Sequence, residues 1–84
     1  KLAAWPNPTS GQIQFGILKD EEAYTPDESL LVEVLDINMT VVSSAILDKT
    51  STSSLTLPQV PAGEYYLRTQ LKGQTVISTK IVKQ

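Results

Sequence analysis

Apolar and polar residues alternate along this chain, and no window sustains a helical 3.6-residue apolar period. In Gln12-Ile13-Gln14-Phe15-Gly16-Ile17 the apolar side chains fall on every second position, which places Ile13, Phe15 and Ile17 on one face of a half-buried strand. Leu30-Leu31-Val32-Glu33-Val34-Leu35 is branched-residue-rich and apolar on nearly both faces, as a central strand is. Val41 to Leu47 reads as the strand returning from it. Glu64 to Lys72 sets Tyr65, Leu67, Thr69 and Leu71 against Tyr66, Arg68, Gln70 and Lys72, and Gln74 to Lys83 sets Ile77, Thr79 and Ile81 against Val76, Ser78, Lys80 and Val82. Shorter strands are expected at Leu2 to Trp5 and Leu55 to Leu57. The alternation predicts that Ile13, Phe15, Val32, Val34, Tyr65, Leu67, Ile77 and Ile81 are largely buried.

The segments between these runs carry turn chemistry. Trp5-Pro6-Asn7-Pro8 ends the first strand, because each proline lacks a backbone donor and biases the residue before it toward extended geometry. Thr9-Ser10-Gly11 completes that turn. Lys19-Asp20-Glu21-Glu22 reads as a charged loop, and Thr25-Pro26-Asp27-Glu28 as a second turn in which Pro26 is able to start one helical turn. Asp36 to Thr40 is a short connection, and Asp48 to Ser54 a polar loop. Pro58 to Gly63 turns the chain again, and Lys72-Gly73-Gln74 is a tight hairpin turn; Gly63 and Gly73 are the positions where positive φ is expected. Six or seven short strands with turn signals every 8–12 residues or so are the pattern of an all-β sandwich or barrel.

Length and composition narrow the function. With 84 residues the chain is one domain, residues 1–84, and buries only about 60–65% of its unfolded surface. A net charge of −2 with seven scattered basic residues argues against nucleic acid as a partner, which calls for a basic stripe. No segment has the length or apolarity of a membrane span, so direct membrane insertion is not expected. The chain has no cysteine and no histidine. It therefore carries no disulfide framework or thiolate metal site, and it lacks the commonest general base and transition-metal ligand. An enzyme is not expected, and neither is a cofactor or a bound metal.

The remaining candidates for chemistry have simpler structural readings. Asp20-Glu21-Glu22 with Asp27-Glu28 gathers oxygen ligands suited to calcium, but lacks the alternating order of a calcium loop; a solvated loop accounts for it. Ser43-Ser44 and Ser51 to Ser54 supply hydroxyls with no base to activate them. Asn38-Met39-Thr40 matches a glycosylation sequon and equally suits a turn. Trp5, Tyr24, Tyr65 and Tyr66 are more simply core or strand-pair residues than a sugar-binding platform, with Trp5 and Tyr66 its best members if exposed.

Several of these stretches together resemble one family. Trp5-Pro6-Asn7-Pro8-Thr9-Ser10-Gly11 resembles the aromatic-Pro-Asn-Pro opening of type A C-terminal sorting domains of the type IX (Por) secretion system. Leu31-Val32-Glu33-Val34-Leu35-Asp36 is similar to that family's central strand ending in Asp. Leu55-x-Leu57-x-x-Val60-x-x-Gly63-x-Tyr65-x-Leu67-Arg68 resembles its most recognisable stretch, and Gly73 with Lys80-Ile81-Val82-Lys83 looks like its closing hairpin. The four features cover almost the whole chain in order. Met39 departs from the usual glycine of the family's Asp-x-x-Gly turn, and Trp5 from its more usual tyrosine.

The resemblance implies an immunoglobulin-like β-sandwich of about seven strands, and a secretion signal that takes a cargo protein of a Gram-negative member of the Bacteroidota across the outer membrane for cell-surface attachment. The implied partners are an outer-membrane translocon, a shuttle protein and a sortase-like protease; the implied location is the cell surface, the outer membrane or the medium, after periplasmic transit. The residues expected to be recognised are Gly63, Tyr65, Gly73, Lys80, Ile81, Val82 and Lys83. Of these the glycines also serve turns and Ile81 the core, and Lys80 and Lys83 are the least explained by packing. The last strand is expected to lie at a sheet edge and to offer unpaired backbone groups to a receptor strand. The competing function is an immunoglobulin-like binding or adhesion module for a carbohydrate or protein, which needs exposed aromatic residues instead.

Overall fold

A computed structural model describes residues 1–73 and 76–84. Its described residues form eight strands and no helix: β1 (Leu2–Trp5), β2 (Gln12–Lys19), β3 (Glu22–Tyr24), β4 (Ser29–Leu35), β5 (Val41–Asp48), β6 (Thr52–Thr56), β7 (Gly63–Gln70) and β8 (Val76–Lys83). They make two antiparallel four-stranded sheets, one built on β2 and the other ordered β5-β4-β7-β8. In the first sheet β2 pairs with β1 along one edge; along its other edge β6 covers Gln12 to Gly16 and β3 covers Ile17 to Lys19. The sheets face each other over Leu2, Ile13, Phe15 and Ile17 from one side and Val32, Val34, Leu67 and Ile81 from the other, with Leu30, Leu47, Leu55, Leu57 and Tyr65 completing the core. The apolar period of two thus builds the sandwich core directly. Every residue expected to be buried is so, except Ile77, which is partly buried and packs against the core.

Two expectations are corrected. The charged segment after β2 is not an open loop: Lys19 pairs with Glu22, which leaves Asp20 and Glu21 as a two-residue hairpin turn. Both adopt positive φ, 54° and 65°, the conformation that matches the twist of the flanking strands. Lys19 Nζ lies 5.3 Å from the centre of the Tyr24 ring and braces the hairpin, a cation–π contact. The extra strand β3 brings the count to eight. Likewise the polar Thr52-Ser53-Ser54 is strand rather than loop, held as β6 against Gln14, Phe15 and Gly16; backbone pairing to β2 decides it, not side-chain burial. Gly73 takes the expected positive φ, 71°, but β7 ends at Gln70, which pairs with Val76, so Leu71 and Lys72 belong to the connection and not to the strand; Gln74 lies outside the described residues, and β8 is described from Val76.

The β4–β5 connection closes on Asp36. Its carboxylate oxygen Oδ1 accepts from the amides of Asn38 at 2.9 Å and Thr40 at 3.0 Å, while its own amide donates to Thr40 O and its carbonyl accepts from Met39 N, both at 2.9 Å. Met39, at the family's usual glycine position, takes φ 64°, the left-handed conformation glycine adopts freely.

Candidate functional site

The register of the β7–β8 hairpin gathers most of the candidate recognition residues. Gly63 pairs with Lys83, Glu64 with Val82, Tyr65 with Ile81 and Tyr66 with Lys80. Six of the seven candidates therefore lie in four adjacent rungs at one end of the hairpin. Gly73 sits in the turn at the opposite end, roughly 23 Å away along β7 at ~3.3 Å per residue, and is not part of this group.

Within the group, packing separates two kinds of residue. Ile81 is fully buried and Tyr65 nearly so; they hold the frame. The Tyr65 hydroxyl donates to the Pro61 carbonyl at 2.6 Å, which ties the Pro58–Gly63 turn to the start of β7. Gly63 has φ 145°, a region that L side chains rarely enter, and open space stands where its Cβ would be; the backbone, not crowding, requires glycine. Lys80 presents its ammonium to solvent and to Glu64, Nζ to Oε1 3.4 Å, with both side chains about half exposed. Among the described residues Lys83 Nζ reaches only the Gln84 carbonyl, at 3.5 Å. Val82 and Lys83 are half-buried and Gly63 is exposed. The solvent-facing part of this group is thus Gly63 and Lys80, with Val82 and Lys83 half-buried, on a frame set by Tyr65 and Ile81.

The edge of β8 is only half open. Residues 80, 82 and 84 turn their backbone groups outward, and a segment before β2 takes them up. The Asn7 side chain donates from Nδ2 to Lys80 O and accepts from Val82 N at Oδ1, both at 2.9 Å. Thr9 N donates to Val82 O and Gln84 N to Thr9 O, both at 2.8 Å, in a short parallel bridge between Thr9 and Lys83. Thr9 is itself anchored: it is 1% exposed, its hydroxyl donates to Gln12 O at 2.7 Å and it accepts from Gly11 N at 3.1 Å. The last strand lies at a sheet edge as expected, but part of the backbone expected to be unpaired there is taken up by Asn7 and Thr9. Only the stretch around Val76 and Ser78 and the Lys80 amide lack a partner on this edge among the described residues. Sequence reading took Asn7 and Thr9 for turn residues; the aromatic-Pro-Asn-Pro motif pointed to the segment without saying what it touches.

Elsewhere, β4 and β7 pair only from Glu33 to Leu35 with Tyr66 to Arg68 and then diverge. The buried Thr69 hydroxyl bridges the gap to Leu31 O at 2.9 Å, and a groove of about 750 Å³ opens between the strands toward Gly73. The acidic residues Asp20 and Glu21 lie in the β2–β3 turn, and among the described residues no group of three or more His, Cys, Asp or Glu side chains is placed to hold a metal ion. Of the aromatic candidates, Tyr65 is core, Tyr24 and Tyr66 are half-buried and Trp5 is exposed; Trp5 ends β1 opposite Gln14 in one sheet and Tyr66 lies in the other.

A comparison with curated proteins finds no match. The family described as "Secretion system C-terminal sorting domain" matches residues 3–84, a span that takes in the Asn7–Thr9 segment, the Asp36 turn and the whole β7–β8 hairpin. Such a domain works with the secretion machinery and directs export across the outer membrane, to the surface or the medium. The all-β sandwich, the closing hairpin and this match agree, and the chain belongs to the family of C-terminal sorting domains that act as secretion signals for the type IX secretion system.

Proposed function

We propose that the secretion machinery reads this domain at the end of the β7–β8 hairpin where Gly63, Tyr65, Lys80, Ile81, Val82 and Lys83 meet. The register that puts Gly63 against Lys83 and Tyr65 against Ile81 carries the reading: it brings residues about 20 apart in sequence onto one surface, with two lysines beside a backbone that only glycine adopts. Neither lysine is needed for folding, since an exposed ion pair contributes about 0.2–1 kcal/mol, whereas at a receptor such charges steer encounter and set register. Gly73 acts apart from this surface, as the hairpin turn. The partners are a translocon, a shuttle protein that receives the signal and a sortase-like protease, and the destination is the cell surface. The fold is immunoglobulin-like, with Tyr65 and its bond to Pro61 in the part of a tyrosine corner. The domain itself catalyses nothing.

The test is a reporter fused ahead of residues 1–84 in a host that has the system, with surface exposure measured beside the thermal stability of the purified domain. Lys80→Ala with Lys83→Ala is expected to lower surface delivery and leave stability within about 1 kcal/mol of the parent. Deletion of residues 79–84 is expected to abolish delivery, since it removes Ile81 from the core. Normal delivery of the double alanine variant removes the lysines from the signal. Normal delivery after the deletion places the signal outside β8 and overturns this reading of the hairpin end.

A further inference from the structure

The outer edge of β8 is self-complementary, and one side chain stands in the way of its pairing with itself. Val76, Ser78 and Lys80 direct their backbone groups outward from the sheet. If two copies meet antiparallel about Ser78, Ser78 faces Ser78 of the second copy, and Val76 faces Lys80 in both directions. No like charges stand opposite each other, and the exposed Val76 side chain lies along the aliphatic stem of Lys80, a favourable cross-strand neighbour. The two four-stranded sheets then become one of eight strands. The Lys80 amide is open, but its carbonyl is held by Asn7 Nδ2, and the Asn7 amide plane lies where the second strand has to run, spanning Lys80 O and Val82 N as a backbone peptide does. With Asn7 in place the open edge is reduced to Val76 and Ser78, too short to pair, since even a whole two-stranded unit is marginal in water.

We propose that Asn7 is an edge guard: by occupying Lys80 O and Val82 N it keeps β8 from adding to β8 of a second copy of this chain, and so keeps the domain monomeric. Edge strands left flat and open invite such pairing, and Thr9 fixes the guard in place through its own bonds to Val82 and Gln84.

Two measurements test this. Amide hydrogen exchange on the unmodified domain is expected to find Val82 protected and Ser78 exposed, although both amides point out of the same edge. Exchange of Val82 as fast as that of Ser78 overturns the guard whatever any variant does. Sedimentation velocity is then run on the unmodified domain, on Asn7→Ala and on Asn7→Ala with Ser78→Pro. Proline at 78 removes only an outward amide, a place an edge strand tolerates. The expected results are a monomer, a concentration-dependent dimer and a monomer again, with Val82 exchange in dilute Asn7→Ala faster by about tenfold, as for the loss of one hydrogen bond. A dimeric parent, a monomeric Asn7→Ala at the concentrations used for NMR, or a dimer that survives Ser78→Pro each overturns the proposal.

Discussion

Gly16→Ala is the substitution whose effect is set most directly by this fold. Gly16 lies mid-β2, paired with Ala3 on one side and Thr52 on the other. A methyl group at Gly16 meets the backbone carbonyl oxygen of Ser51 far inside contact distance, and Thr52 Cγ2 lies 3.2 Å from it. The obstacle is backbone, and its neighbours Thr52 to Thr56 are bound to β2 by the ladder, so relief requires the start of β6 to peel away. Overpacking of this kind costs about 1–3 kcal/mol, offset by the ~0.5–1 kcal/mol that alanine gains over glycine in a strand, for a net loss of about 1–2 kcal/mol. In a domain of this size each kcal/mol moves Tm by about 4–8 °C, so a fall of roughly 5–15 °C is expected. Urea and thermal unfolding followed by circular dichroism, with an unchanged m-value, is the assay. An unchanged or raised midpoint refutes the reasoning, since it means that residue 51 yields freely and that close approach to β6 does not require glycine at 16.

Three further substitutions probe other joints. Gly63→Val places a β-branched side chain at φ 145° and is expected to lose about 1–3 kcal/mol, read as a fall in the urea midpoint; an unchanged midpoint means the turn relaxes to negative φ. Tyr65→Phe removes the bond to Pro61 O and is expected to lose about 0.5–1.5 kcal/mol, with faster exchange confined to the start of β7. Thr69→Val keeps the shape but strands Leu31 O beside the groove, with an expected loss of about 1–3 kcal/mol; calorimetry showing no change means that water takes the place of the hydroxyl.

The strands that sequence made most legible are those whose burial alternates: in β2, β4, β7 and β8 one face lies on the core, so every second position is apolar or, at Thr69 and Thr79, threonine; β1 and β5 were read as well, from shorter or less regular apolar runs. β3 and the first three residues of β6 escaped for the opposite reason. Glu22 and Ala23 in β3 and Thr52 and Ser54 in β6 are exposed, so backbone pairing to β2 alone makes them strand, and pairing leaves no mark on residue type. The Asp20-Glu21 turn was hidden because neither residue is the Asn or Gly that usually signals it. The candidate site was legible as a list, through its resemblance to a family, but not as a surface. Only the register showed that Gly73 stands apart, and only the bonds of Asn7 and Thr9 showed that the far half of the last strand is covered. Those bonds join residues 73 to 75 apart in sequence, beyond the reach of any local pattern.

That separation makes the two ends of the domain report on each other. Closing a loop of this length is entropically slower to reward than forming the β4–β5 or β7–β8 hairpins, so the seam between residues 7–9 and 80–84 is expected to form after both. Its completion depends on a finished β8. A chain clipped or stalled within that strand before Lys80 leaves Asn7 and Thr9 without their partners and strips Ile81 from the core, so the damage appears at residues 7–9 as well as at the cut. A probe attached near Trp5 thus serves as a sensor for the integrity of a strand more than seventy residues downstream, and it separates a complete address from a broken one before any receptor is involved.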